Sequence, residues 1–216
     1  MSAEREKQVA AEAAADFVRD GMLVGLGTGS TVAYLLAALG RRAPAITCVA
    51  SSPRTEQAAV KLGLTVKPFR SVDRLDIYID GADQVDPECW LMKGGGAAHT
   101  REKMVAAAAT DFVVIADSSK QVPALRPPVP VELLRFGLPA TLRHLDPVTV
   151  RDVPPSPDGG VIADYHGAIH DPARLAARLS AIPGLVEHGL FPPSMVSLVL
   201  IASGDMVEEL RPARRR

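Results

Sequence analysis

Residues 22–31 read MLVGLGTGST, an apolar run that breaks into glycines at Gly25, Gly27 and Gly29 and passes into the helix-compatible stretch Thr31 to Leu39. A strand, a glycine-rich turn and a helix in succession form an α/β unit whose bare backbone N–H groups can face an anion at the helix N-terminus. The pattern repeats outward. ITCVASS (46–52), LTVKPF (64–69), LDIYIDGAD (75–83) and FVVIADSSK (112–120) are short apolar runs, most of them ending in small or acidic residues, and helix-compatible segments fill Thr55 to Leu62 and Arg101 to Ala109. Parallel strands covered on both faces carry continuous rather than alternating apolar side chains, and strands interleaved with helices imply right-handed crossovers. The first 125 residues therefore predict an open α/β sheet.

Upstream, Val9, Ala13 and Phe17, together with Ala10, Ala14 and Val18, recur at helical spacing, predicting a helix over 2–18 with Gly21 as its stop. Downstream, prolines crowd the stretch from Pro123 to Pro139 and mark a boundary. Beyond it, VTVRDV, VIADYH and LVEHGLF read as half-exposed strands, and Asp171-Pro172 opens a helix with the stripe Leu175, Leu179, Ile182, which together suggest a small α+β subdomain. The apolar run MVSLVLIAS is expected to return as a strand to the first sheet, dividing the chain into 1–125 plus 197–216 and 126–196.

The 216 residues are 47% hydrophobic, enough for one main core with a smaller companion, and 24 Lys+Arg against 25 Asp+Glu leave a net charge of -1. That balance gives no electrostatic reason to expect nucleic acid or an anionic membrane as partner. No apolar run reaches the ~18 residues of a membrane span and MSAEREKQVA is no signal peptide, so the expected location is cytoplasmic. Cys48 and Cys89 read as buried thiols, Trp90, Met92 and Phe112 as core, and the tail RPARRR as a solvated end. His166 and His170 stand four apart, but Gly167 and a strand-like context separate them, so no metal site is expected.

Four segments can carry chemistry. GLGTGST suits a phosphate-sized ligand; Ser30 takes the place of a dinucleotide fingerprint's third small residue and no acid ends the next strand, which argues against NAD, while a plain tight turn stays open. Asp80 and Asp83 end an apolar strand, where open α/β sheets gather ligands, although aspartates also serve turns. KGGGAAHTREK sets Lys93 before three glycines, an entropic cost that makes sense where the main chain must approach something closely. Thr100 is expected to cap a helix from Arg101, with Glu102 in its first turn near the positive dipole end. Lysine stands only at Lys7, Lys61, Lys67, Lys93, Lys103 and Lys120 in this arginine-rich chain, and Lys93 and Lys120 flank candidate loops.

GLGTGST, ASSPRTEQAAVKLG, DGAD, KGGGAAHTREK and ADSSKQV, in this order and spacing, closely resemble ribose-5-phosphate isomerase of type A, and the likeness continues through DPARL and IPGLVEHGLF. The resemblance implies a Rossmann-like domain with an open, mainly parallel sheet, joined to a smaller α+β, ferredoxin-like lid domain, in a homodimer or dimer of dimers. It implies interconversion of D-ribose 5-phosphate and D-ribulose 5-phosphate without metal or organic cofactor. By the same resemblance Glu102 is the proton-transferring base, with Asp80, Asp83 and Lys93 completing the reacting end. Thr28, Gly29, Ser30 and Thr31, with Lys7 and Lys120, would hold the substrate and its phosphate, and Gly81, Ala82, Gly94, Gly95 and Gly96 would supply backbone around it. The chain departs from the family's usual pattern at Gln84 (commonly Glu), at His99 (commonly Leu), and in PPSMVSLVLIAS, which lacks an Arg and Asp.

Aldose–ketose exchange moves a weakly acidic proton between adjacent carbons through an enediolate; one carboxylate over both carbons can do both transfers, and preorganised donors must hold the oxygens. Two other readings stand beside it. A sugar-phosphate sensor would keep the pocket without turnover, and an acyl or CoA transferase on a related scaffold would use a carboxylate as nucleophile.

Overall fold

A computed structural model describes residues 2–213, so part of the RPARRR tail lies outside the described residues. The chain opens with α1 (Ala3–Ala15), β1 (Leu23–Leu26), α2 (Ser30–Arg42), β2 (Thr47–Ala50), α3 (Pro53–Lys61), β3 (Thr65–Val66) and β4 (Leu75–Gly81). Short strands β5 (Gln84–Val85) and β6 (Leu91–Met92) follow, then α4 (His99–Ala108) and β7 (Ala109–Asp117). The second half holds β8 (Val129–Leu133), α5 (Leu138–Leu145), β9 (Val148–Val150), β10 (Val161–Tyr165), α6 (Pro172–Ser180), β11 (Leu185–His188), β12 (Leu190–Phe191), β13 (Leu198–Ser203) and β14 (Met206–Leu210).

The main sheet has seven strands in the order β14-β13-β7-β4-β1-β2-β3, parallel except for the β13–β14 hairpin. Strand order reverses between β1 and β4, and this switch point is where open α/β sheets leave a crevice at the carboxyl ends of their strands. The run MVSLVLIAS forms β13, which returns in parallel beside β7 with Leu198 opposite Val113. The fold is thus the expected α/β class with a mainly parallel central sheet.

Buried apolar side chains cover both sheet faces. Ala10, Ala14, Leu35 and Leu39 of α1 and α2 pack with Val24, Ile77 and Ile115 on one face, and Val105 of α4 with Tyr78, Phe112 and Val199 on the other. In the second half β8 to β11 form a four-stranded antiparallel sheet in the order β11-β8-β10-β9. With α5 and α6 as its crossovers this is a βαββαβ succession, the ferredoxin-like arrangement.

Several expectations need correction. Helix α1 ends at Ala15, not at 18, because Asp16, Phe17 and Val18 donate to carbonyls three residues back, a tightened last turn, and Gly21 lies in the loop beyond with φ 83°. The proline-rich stretch also holds a strand that had no sequence reading, β8, whose five residues are all buried and which has a neighbour on each side. Pro130 gives that strand a carbonyl, which accepts from Gly189 N at 2.7 Å. The run LVEHGLF, read as one strand, divides into β11 and β12; helix α5 and β14 had no sequence reading, nor did β5 and β6, since two-residue strands are too short to show a period.

Candidate active site

At the carboxyl end of β4, Asp80 has no exposed surface because it lies across β1. A Cβ added to Gly27 would stand 1.9 Å from its Oδ1, and one added to Gly25 2.7 Å from the Tyr78 ring, so these glycines are what let β4 side chains cross the neighbouring strand. Asp80 Oδ1 accepts from Thr28 N (2.9 Å) and Gly81 N (2.7 Å). Its Oδ2 accepts from the Tyr78 hydroxyl and from Lys93 Nζ, the latter at 2.8 Å. Tyr78 sits two residues before Asp80 on the same strand face, and burial followed by the Asp80 charge pushes its hydroxyl well above the usual range.

Lys93, on the loop after β6, is 3% exposed and also donates to Gly81 O at 2.5 Å. Burial opposes its charge, yet the carboxylates of Asp80 and Glu102 raise its pKa on balance. Glu102, in the first turn of α4, is 5% exposed, and its Oε2 stands 3.2 Å from Lys93 Nζ without making a hydrogen bond. Burial first, and the Asp80 charge second, push the Glu102 carboxyl up to about 8, with Lys93 pulling the other way. A buried carboxyl tuned toward neutrality beside a fixed cation is the electrostatic arrangement of a general base.

These groups open on a cleft of about 170 Å³. Thr28, Gly29, Ser30 and Thr31 form one wall, Gly81, Ala82 and Asp83 the second, Lys93, Gly94, Gly95 and Gly96 the third, while Glu102 lines it from α4 and Lys7 and Lys120 stand on its rim. Every sequence-selected residue except Asp80 lines this cleft, and Asp80 lies beneath it holding Lys93. Lys7 reaches the rim from α1 paired with Glu4 Oε1 at 2.6 Å. The Thr28 hydroxyl is engaged with Ser51 Oγ (3.0 Å) and Ser52 Oγ (2.9 Å), so this residue offers the cleft its backbone more than its side chain. A larger adjoining groove of about 900 Å³ shares Thr28, Gly29, Ser30 and Gly96 but contains none of Asp80, Asp83, Lys93 or Glu102.

Thr100 is not the cap of α4. The helix begins two residues earlier than expected, at His99, with Ala98 as an uncapped N-terminus, and the Thr100 hydroxyl donates instead to Glu132 Oε2. The buried Glu132 also accepts from the Ser156 hydroxyl, and Lys103 donates to Glu187 Oε1 and His188 O, both at 2.6 Å. The first half of the helix that carries Glu102 is therefore tied to the second sheet. His99 is fully buried with neither ring nitrogen hydrogen-bonded, and burial, then the Lys103 charge, lowers its pKa to about 3. Sequence reasoning missed Tyr78, which the two-residue strand period could have found, and Glu132, whose partners lie far along the chain.

The family model for ribose 5-phosphate isomerase A (phosphoriboisomerase A) matches residues 47–206. Among curated relatives, the ribose-5-phosphate isomerase A of Sphingopyxis alaskensis is 43% identical with 94% of each chain covered, and that of Methanosarcina acetivorans is 45% identical with 86% of each covered. The crystal structure of ribose 5-phosphate isomerase A from Neisseria gonorrhoeae superposes with a TM-score of 0.94 at 31% identity, covering 99% of both chains. A D-ribose-5-phosphate isomerase in complex with phospho-erythronic acid superposes at 0.92 with 33% identity, covering 98% of this chain and 100% of that one. The family model covers more than half of the chain and the relatives and structures nearly all of it, and the chain belongs to the ribose 5-phosphate isomerase A family.

Proposed function

We propose that this chain interconverts D-ribose 5-phosphate and D-ribulose 5-phosphate through an enediolate, as a step of the non-oxidative pentose phosphate pathway. The observation that carries the reading is Glu102 Oε2, buried, without a hydrogen bond and 3.2 Å from Lys93 Nζ at the wall of a sugar-sized cleft. In the proposed mechanism the Glu102 carboxylate takes the proton from the carbon beside the carbonyl and returns it to the former carbonyl carbon. Before the proton returns, its removal leaves one negative charge on the enediolate, passed between its two oxygens, which Lys93 and the glycine-loop N–H groups stabilise; a base of this kind contributes about 10²- to 10⁴-fold. Asp83, exposed at the cleft, shuttles protons between the oxygens. Asp80 already accepts from four donors, which favours a role in fixing Lys93 over one in handling the sugar directly. The Gly29–Thr31 segment at the start of α2, with Lys7 and Lys120, holds the phosphate, and this remote grip converts binding energy into orientation over the reacting carbons.

The division into 1–125 plus 197–216 and 126–196 is supported by the seven-stranded and four-stranded sheets, although the three-stranded sheet joins β12 of the second part to β5 and β6 of the first. A homodimer or dimer of dimers in the cytoplasm is the assembly and location that the family resemblance favours. The test is to incubate purified protein with ribose 5-phosphate and EDTA and follow ketopentose formation. Turnover is expected, and none at all would favour a sugar-phosphate sensor.

A further inference from the structure

Arg151 follows β9 of the second sheet, and nothing in its local sequence marks it as functional. Its guanidinium is gripped edge-on by Asp164 of β10, Nε to Oδ2 at 2.8 Å and Nη2 to Oδ1 at 2.7 Å, with both side chains less than a fifth exposed. The remaining nitrogen, Nη1, donates to Gly94 O at 2.9 Å and Gly95 O at 3.2 Å. Two successive carbonyls of the glycine loop are thus turned toward one cation whose plane a carboxylate fixes.

Peptide planarity carries this outward. Both peptides are trans, so each N–H leaves the edge opposite its carbonyl. The plane holding Gly94 O also holds Gly95 N–H, which donates to Asp83 Oδ2 at 2.7 Å. The plane holding Gly95 O also holds Gly96 N–H, which has no hydrogen-bond acceptor among the described residues and belongs to a residue lining the cleft. Within the loop Ala97 N–H also donates to Gly94 O at 3.0 Å, but the Gly95 carbonyl takes no backbone donor from it. Gly94 adopts φ 105°, and glycines have little intrinsic preference to keep a given orientation.

We propose that Arg151, clamped by Asp164, is a positioning residue for the isomerisation: by holding the carbonyls of Gly94 and Gly95 it aims Gly95 N–H at Asp83 and keeps Gly96 N–H turned to the cleft as a donor for the enediolate. This rests on the proposed isomerase activity. A planar guanidinium suits the position because it can bind a carboxylate along one edge and two carbonyls from another, which an ammonium cannot do in one plane.

The test compares wild type with Arg151→Met and Asp164→Asn, measuring kcat, KM for ribose 5-phosphate, inhibition by inorganic phosphate and the thermal melt. Misaimed donors are expected to lower kcat about 10- to 100-fold in Arg151→Met and less in Asp164→Asn. KM and the phosphate inhibition constant should stay within about twofold, because the phosphate grip is built elsewhere. Unchanged kcat in a folded Arg151→Met variant overturns the proposal, as does a loss of kcat accompanied by equal weakening toward phosphate. Should Arg151→Met fail to fold, Asp164→Asn decides on the same criteria. An inactive wild type would instead overturn the isomerase reading itself.

Discussion

Glu102 and Lys93 form a buried ion pair, 3.2 Å apart, in which the lysine is shared with Asp80 and the glutamate oxygen makes no hydrogen bond. Two carboxylates around one cation leave a surplus negative charge in a dry site. That surplus and the burial hold Glu102 at a raised pKa, while Asp80, with four donors, keeps its charge satisfied.

Replacing Glu102 by Gln is expected to lower kcat with ribose 5-phosphate at least about 100-fold while leaving the circular dichroism spectrum unchanged. A folded Glu102 is more easily protonated than an unfolded one, so its stabilising contribution is present at low pH and lost as pH rises toward about 8. Glu102→Gln should therefore gain stability over wild type with rising pH, which urea unfolding at several pH values would show. An equally active variant would remove Glu102 from the base role.

Because Asp80 raises the Glu102 pKa, Asp80→Asn should shift the acid limb of kcat/KM to lower pH. The absolute rate should fall as Lys93 loses a partner at 2.8 Å. A pH–rate profile of the free enzyme checks this, and a limb displaced upward would contradict the assigned coupling.

His99→Leu should stabilise the protein by about 1–3 kcal/mol at neutral pH, since it removes buried nitrogens that make no hydrogen bond. Folded His99 stays neutral to a pKa of about 3, whereas an unfolded histidine takes up its proton near its ordinary value of 6.5. Wild type must lose this contribution as pH falls through that window, so the advantage of the leucine variant should be larger at pH 5 than at pH 7.5. Chemical unfolding at the two pH values measures it.

Glu132 and Asp158 both tie α4 to the second sheet, but differently. Glu132→Ala leaves the half-buried Thr100 and the buried Ser156 hydroxyls without their acceptor and is expected to cost about 1–3 kcal/mol. Asp158 pairs with Arg101 where the side chains are 51% and 35% exposed, so Asp158→Asn should change stability by less than about 1 kcal/mol. Paired melts of the two variants check the contrast.

Much of the site was legible because its parts are local. The glycines of GLGTGST, the Asp80-Gly81-Ala82-Asp83 turn and Lys93 before three glycines each announce a backbone that must approach something, and all line or underlie one cleft. The capping role read for Thr100 failed because its hydroxyl found a tertiary acceptor, Glu132, thirty-two residues away. Strand β8 was hidden by the surrounding prolines, which normally end strands, although one of them, Pro130, is carried within its buried ladder.

The amino-acid sequence by itself determined the alternation of apolar runs and helices, and with it a parallel sheet whose switch point gathers the loops. Those features depend on side-chain period and glycine placement, which are properties of neighbouring residues. Only the tertiary structure decided which charges share a lysine, which hydroxyl leaves its helix end, and which arginine turns the glycine loop. Such choices depend on distance and dielectric between residues far apart in the chain, and no short-range pattern encodes them.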